Sequence, residues 1–511
     1  MPFLQFKGRS AVETYHYSLP HHVLKLDAER SVLGADESAS LDGNLIIEGD
    51  NLLALKALLP THTGRIKCIY IDPPYNTGEE GWVYNDNLTH PQFKEWVGET
   101  VGKEGEDACR HDKWCCMMYP RLHLLMQLLS EDGIIFISLD DNEAHSLRYL
   151  MDELFGSEHF IGCFVWESRL NKDNRNVTGV SVAHEYVICY GKKVRGELRD
   201  LSQYTNPDND PHGAWTSGNM VGLLSEERRP NLHYPLTNPE TGIVYKKPEM
   251  GWRYDSNTMK RLIAEKRILW PAQENGRPRR KVFLDELKDA YTGFSSLVGD
   301  DVYTKDGTQE IERIFGRRVM DFPKPSALIK QLLEQGTDSE TIVLDSFAGS
   351  GTTAQAVLEL NNEDGGNRKF ILIQQPFEPK KFETEQINIC ETITAERVKR
   401  VIGGYAYTGT QTETLLEEKV GLNTLKKSGS LLERIEAAKE QGKAEYDKVQ
   451  SEMKDGVVRV LGVRNVTEKT EGLGGSFTYV SVSDTPLLGD YRDLGEVPPP
   501  YEELALSLIH I

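Results

Sequence analysis

The strongest constraint on this chain is an apolar run that stops dead at two prolines. Residues Ile66–Ile71 are almost wholly apolar, and Asp72-Pro73-Pro74-Tyr75-Asn76-Thr77-Gly78 follows at once. A short apolar run closed by Pro and Gly reads as a strand buried on both faces, as in a parallel sheet covered by helices. The prolines fix φ and remove two N–H donors, so the strand delivers Asp72 and Tyr75 to a rigid turn at its carboxyl end. A second run, Thr341–Leu344, behaves the same way and enters Asp345-Ser346-Phe347-Ala348-Gly349-Ser350-Gly351-Thr352-Thr353. A helix follows, with Ala354, Val357 and Leu358 on one face. Gly349 and Gly351 let a ligand approach the backbone closely.

The two turns differ in chemistry. Asp-Pro-Pro is ordinary turn chemistry, but it also sets two acceptors side by side, the Asp72 carboxylate and the Pro73 carbonyl. An exocyclic amine on a planar base is a poor nucleophile, because its lone pair is delocalised into the ring. Two acceptors aimed at its hydrogens favour the pyramidal, reactive form. Tyr75 offers a flat face for stacking, worth roughly 1–3 kcal/mol per base. The glycine-rich turn fits the loose dinucleotide fingerprint, which is weak alone. A NAD site also wants an acid at the end of the next strand. That strand, Lys369–Ile373, ends in Gln374-Gln375, and the next acid is Glu378. No Lys follows Gly351, so the turn is not a phosphate loop.

Together the two turns resemble the amino-methyltransferases that act on adenine N6 or cytosine N4 with S-adenosylmethionine. Asp72–Tyr75 resembles their catalytic motif and Phe347–Gly351 their cofactor motif. The catalytic motif comes first here, the permuted arrangement called the β class. Phe322-Pro323-Lys324-Pro325 and Ile47–Leu52 resemble its flanking segments. Trp114 with Met118–Leu122, Ser138–Glu143, Ala183-His184-Glu185-Tyr186 and Gly365–Ile371 resemble the modification subunit of type III restriction–modification systems. The likeness weakens after Glu378. It implies a circularly permuted, Rossmann-like doubly wound α/β methyltransferase sheet, an inserted target-recognition region and a C-terminal α+β region. It implies Asp72, Pro73, Pro74 and Tyr75 as catalytic residues. It implies Asp345, Phe347, Ala348, Gly349, Gly351, Thr352, Lys324 and Pro325 as cofactor-binding. The implied product is N6-methyladenine in double-stranded DNA. N4-cytosine is the alternative, for which the family more often shows Ser in place of Asp72; a recognition subunit inactive without its partner is another. The implied partners are DNA, a restriction (helicase/nuclease) subunit and a second copy in a homodimer.

Charge argues against uniform DNA attraction. The chain has 511 residues and a net charge of −20, whereas phosphate contacts come from Lys and Arg. One stretch supplies cations among aromatics: Arg253, Lys260, Arg261, Lys266, Arg267, Arg277, Arg279, Arg280 and Lys281, near Trp252, Tyr254 and Trp270. Arg253, Lys260, Arg267, Arg279, Arg280 and Lys281 are the candidate DNA contacts, although a solvated helix face has the same composition. The seven cysteines include no Cys-x-x-Cys pair, so neither a zinc site nor a disulfide framework is suggested. No apolar run reaches a membrane span and the start is not a signal peptide; a cytoplasmic enzyme without a metal is expected.

The expected organisation is a leader over 1–40, the catalytic half of the core over 41–196, and target recognition over 197–316. The cofactor half follows over 317–378 and a C-terminal region over 379–505. Expected helices span Leu52–Leu59 and Pro120–Leu129, with another capped by Asn142; expected strands include Ile134–Leu139 and the pair Cys163–Trp166 and Glu185–Tyr190. Asp140–Glu143 reads as a helix cap. Gly78–Asp112 reads as a lid, with Trp82, Tyr84 and Trp96 available to hold a base. Glu385–Val401 and Leu431–Met453 read as helices, Val457–Val463 and Ser476–Val482 as strands. Residues 506–511 resemble an adapter-encoded tail, which predicts a truncated gene.

Overall fold

The computed structural model describes residues 3–77, 110–172, 179–376, 388–421, 424 and 428–487. Trp82, Tyr84, Trp96 and the terminal hexapeptide lie outside these residues. The chain divides into two compact units, 1–194 with 295–511, and 195–294. Residues 295–316, assigned above to target recognition, thus fall in the first unit, where they supply a strand and a helix.

The first unit is built on a ten-stranded sheet. In chain order its strands are β1 His22–Val32, β2 Leu45–Glu48, β3 Ile66–Ile71, β4 Leu129–Leu139, β5 Phe160–Glu167, β6 His184–Gly191, β7 Leu297–Val298, β8 Ile342–Asp345, β9 Lys369–Gln374 and β10 Phe477–Pro486. Their spatial order is β1-β10-β2-β9-β8-β3-β4-β6-β5-β7. The run from β10 to β4 is parallel throughout, with Val343 opposite Cys68 where β8 meets β3. β1 on one side and β6 on the other join antiparallel.

Alternate residues of these strands face opposite layers, as period two requires. Ile69, Ile71, Ile135, Ile137 and Leu344 share one core with α1 (Asn51–His62), α2 (Arg110–Leu128) and α3 (Ala144–Met151). On the other face, Gly336 of α5 (Ser326–Gly336) sits against Cys68 and Phe136, where a side chain would crowd both. The same unit holds α4 (Thr304–Phe315), α6 (Thr352–Asp364) and α7 (Glu396–Gly403). Helices cover both faces, which is the doubly wound arrangement.

From β3 the chain runs through α2 to β4, on one side. From β8 it runs through α6 to β9, on the other. The winding therefore reverses between β3 and β8, and ligands of open α/β sheets sit at the strands' carboxyl ends at such a switch point. Both proline and glycine turns stand there.

Several elements differ from expectation. α2 starts at Arg110 and passes straight through Pro120. The run Trp114–Tyr119 is entirely buried, and that packing outweighs the hydrogen bond and steric fit that an internal proline forfeits. Asp140, rather than Asn142, closes the turn into α3, accepting the Asn142 backbone N–H at 2.9 Å. The expected leader holds β1, and the expected C-terminal region supplies β10, which lies between β1 and β2. The helix expected over Leu431–Met453 ends at Gly442, and Lys448–Lys454 is instead a strand. It joins Val457–Thr470 and Tyr405–Lys419 in a three-stranded sheet.

The second unit contains short strands and the helix Ser256–Ala264, capped by the Asp255 carboxylate. Its core gathers Met220, Leu236, Tyr245, Trp252, Met259, Leu262 and Ile268.

Candidate active site

β3 ends at Ile71, and the next four residues meet a dense set of side chains. Asp72 turns one carboxylate oxygen, Oδ2, to the Lys324 ammonium at 2.9 Å. Its other oxygen, Oδ1, is sealed from solvent and accepts no hydrogen bond, the nearby Tyr75 hydroxyl being given to Glu185 at 2.8 Å. No hydrogen bond among the described residues ends on the buried Pro73 carbonyl. Among the described residues both of these acceptors are therefore without a hydrogen-bond partner. The Pro74 carbonyl, by contrast, accepts the Trp114 indole N–H at 2.7 Å. Beyond Tyr75, Asn76 adopts a φ of 58°, a left-handed state that Asn tolerates well. Its amide donates to the fully buried Glu143 carboxylate, which His111 Nδ1 also meets at 2.6 Å. The turn is thus pinned from α2 and from the start of α3.

Lys324 was expected beside the cofactor. Its ammonium lies between Asp72 and Glu185, 3.3 Å from the latter, and 4.8 Å from the centre of the Tyr75 ring. Its backbone carbonyl accepts the Thr352 hydroxyl at 3.1 Å, so one residue touches both turns. Burial works against the charged ammonium, but Asp72 and Glu185 more than offset it and hold Lys324 above its ordinary range. Burial also pushes the Asp72 carboxyl up, with Lys324 pulling the other way.

The glycine-rich turn is organised from within and from outside. Asp345 accepts the Phe347 N–H at 3.0 Å on one oxygen and the Thr353 hydroxyl at 2.5 Å on the other. Burial pushes this carboxyl up to about 7. Both its oxygens serve the loop. Gly349 and Gly351 have φ of 53° and 82°, the left-handed state that favours glycine. A Cβ on Gly349 would lie at ordinary contact distance, 3.8 Å, from the Met320 sulfur, so what calls for glycine there is the backbone conformation. The Ser346 hydroxyl beside it is buried without a hydrogen-bond partner. Gln374 accepts the Gly349 N–H at 2.8 Å, which explains why the strand after the loop ends in an amide. Asn51 of α1 donates to the Ser346 carbonyl at 3.0 Å and is itself fixed by the buried Arg121 at 2.6 Å.

Glu185, Asn51, Arg121, Gln374, Thr394 and Arg397 were not singled out as site residues from sequence. The first four lie in or beside motif segments, so position along the chain was a usable signal. Thr394 and Arg397 stand in no motif.

In the second unit the six candidate DNA contacts divide. Lys281 is buried against Asp208 and Asp210, and Arg267 and Arg280 both pair with Glu286. These three cations are neutralised within the unit. Arg253, Lys260 and Arg279 are exposed; Arg253 donates to the Val221 carbonyl and Arg279 to Ser217.

A family model described as DNA methylase matches residues 66–381. The type III restriction-modification enzyme StyLTI Mod subunit of Salmonella typhimurium is 34% identical over 405 residues, 74% of this chain and 59% of its own. The EcoP15I Mod subunit of Escherichia coli is 31% identical over 433 residues, 73% of this chain and 65% of its own. The type II methyltransferase M.KpnI of Klebsiella pneumoniae is 34% identical over 378 residues, 70% of this chain and 85% of its own. The chain thus spans less than two thirds of the two type III relatives. The matched span takes in both turns and the strands that carry them, and the chain belongs to the DNA methylase family.

Proposed function

We propose that this protein methylates adenine N6 in double-stranded DNA, with S-adenosylmethionine as the methyl donor. The carrying observation is the pair of buried acceptors left without a partner, Asp72 Oδ1 and the Pro73 carbonyl, at the switch point beside the glycine-rich turn. The residues suited to hold the donor are Phe347, Ala348, Gly349, Gly351, Thr352 and Pro325, with the buried, unpartnered Ser346 hydroxyl as the polar group left over for a ligand. The donor, when bound, supplies an electrophilic methyl group on a sulfonium.

The rest is done by the chain. A base swung out of the stack costs a few kcal/mol, and the Tyr75 ring receives its face. The two acceptors accept hydrogen bonds from the two hydrogens of N6 and turn its lone pair out of the ring plane, and Asp72 Oδ1 receives the single proton that N6 sheds once it is methylated. Lys324 holds Asp72 by Oδ2 and keeps Oδ1 aimed at the amine. Asp72, Glu185 and Lys324 together carry one net negative charge, which complements the positive charge that N6 gains. Fixed acceptors of this kind need no reorganisation as the reaction proceeds.

As a proposal, the protein is the modification subunit of a type III system, supported by two relatives so named. It would work in the cytoplasm as a homodimer beside a restriction subunit. A second reading, a type II methyltransferase acting alone, is favoured by the 85% of M.KpnI that the chain spans. The Asp at position 72 favours adenine over N4-cytosine.

The test is transfer of labelled methyl to unmethylated DNA, followed by nucleoside mass analysis. N6-methyladenine is expected from the chain without a partner, and Asp72→Ala should lower the rate roughly a hundred- to thousandfold. Wild-type rates in Asp72→Ala would sink the mechanism. N4-methylcytosine would keep the family and overturn the base.

A further inference from the structure

The glycine-rich loop is held by a segment that lies beyond the span matched by the family. We propose that Thr394 and Arg397 are positioning residues for the methyl donor, acting through the loop; this rests on the function proposed above.

The geometry is specific. Thr394 donates its hydroxyl to the Gly349 carbonyl at 2.6 Å. A Cβ on Gly351 would come to 3.1 Å from the Thr394 carbonyl, so the two backbones are in close contact. Arg397, on α7, is fully buried. Its Nη1 donates to the Ser350 and Thr352 hydroxyls, both at 2.7 Å. Its Nε donates to Gln355 of α6 at 3.0 Å, and its Nη2 to Glu310 of α4 at 3.1 Å. A buried guanidinium is costly unless its donors are matched. Here they are spent on the loop and on the helix that starts from it.

Glu310 extends the arrangement. The same carboxylate accepts the Ser326 N–H at 3.1 Å and its hydroxyl at 2.7 Å. Ser326 opens α5 one residue after Pro325, and Lys324 before that reaches Asp72. Arg397 therefore sits at the junction of the glycine-rich loop with the Lys324-Pro325 turn. Its removal leaves Ser350 and Thr352 without their shared donor and frees the loop to depart from the left-handed turns at Gly349 and Gly351 that define its shape.

Calorimetric titration of S-adenosylmethionine, without DNA, tests this on wild type, Thr394→Val, Arg397→Lys and Arg397→Met. Thr394→Val removes one neutral hydrogen bond and should weaken binding roughly fivefold. Arg397→Met should weaken it roughly tenfold or more, with Arg397→Lys between. Turnover at saturating donor should stay within about threefold of wild type, because the Asp72 acceptors are untouched. Thr394→Val, the mildest change, keeps the test open if the Arg397 variants fail to fold. Unchanged affinity in folded Thr394→Val and Arg397→Lys overturns the assignment, as does a loss of turnover with affinity intact. A wild-type protein that binds no S-adenosylmethionine overturns the functional reading itself, and this inference with it.

Discussion

At the scale of single residues, the site turns on how carboxylates are held. Asp72 is gripped by one oxygen and free at the other, and the grip is a lysine that a change of one side chain removes. The Lys324 ammonium favours the charged carboxylate. Lys324→Gln should therefore raise the Asp72 pKa further and move the acidic limb of the kcat profile to higher pH. A profile that superimposes on wild type would rule out this role. Asp345 gives a second pH dependence, with the opposite consequence for stability. Its folded pKa of about 7 exceeds the ordinary value of about 4, so folding takes up a proton between those limits. Its destabilising contribution is absent below about pH 4 and complete above about 7, at about 1.4 kcal/mol per unit of difference. Asp345→Asn should lack this term, so the stability of wild type relative to the variant should fall as pH rises across that window. Chemical denaturation at several pH values measures it.

At the scale of elements, the two strand-to-turn junctions were legible because prolines and glycines act locally. The prolines of Asp72–Tyr75 fix φ and the glycines of Gly349–Gly351 admit the left-handed region wherever they occur, and the flanking strands are short and apolar. The asparagine after Tyr75 and the aspartate before α1 obey equally local rules; Asp50 accepts from Leu52 N at 2.9 Å and Leu53 N at 3.2 Å. What escaped was non-local. The start of α2 depended on burial that outweighs Pro120, and no pattern around Arg397 announces a contact 47 positions away. Strand β10 reads as a strand in isolation, but nothing in it names β1 and β2 as its neighbours. Gly351 yields an element-level prediction. Its φ of 82° and its closeness to Thr394 leave no place for a branched side chain. Gly351→Val should raise the donor KM by tenfold or more, through strain of about 1–3 kcal/mol at the loop. An unaltered KM in a folded protein would show that the loop tolerates the change.

At the scale of the whole molecule, charge is unevenly shared. The unit 195–294 carries 16 Lys and Arg against 14 Asp and Glu, in a chain whose net charge is −20. The cations within it are not equivalent. Lys260 stands exposed on the helix Ser256–Ala264, whereas Lys281 is buried between two aspartates. Lys260→Ala should lower the slope of log affinity for DNA against log salt by about one, without changing thermal stability. Lys281→Ala should instead destabilise the unit, because it strands two carboxylates. Equal salt slopes in Lys260→Ala and wild type would remove that residue from the DNA contact. The sheet of the other unit has a consequence of a different kind, in the order of events during synthesis. β10 fills the place between β1 and β2, although it follows them by more than four hundred residues. At roughly 5–20 residues per second, a ribosome would hold β1 and the apolar edge of β2 without their common neighbour for roughly twenty to ninety seconds. The nascent chain must therefore wait with an open edge, a template for mispairing, and the sheet closes there only once Phe477–Pro486 has been made.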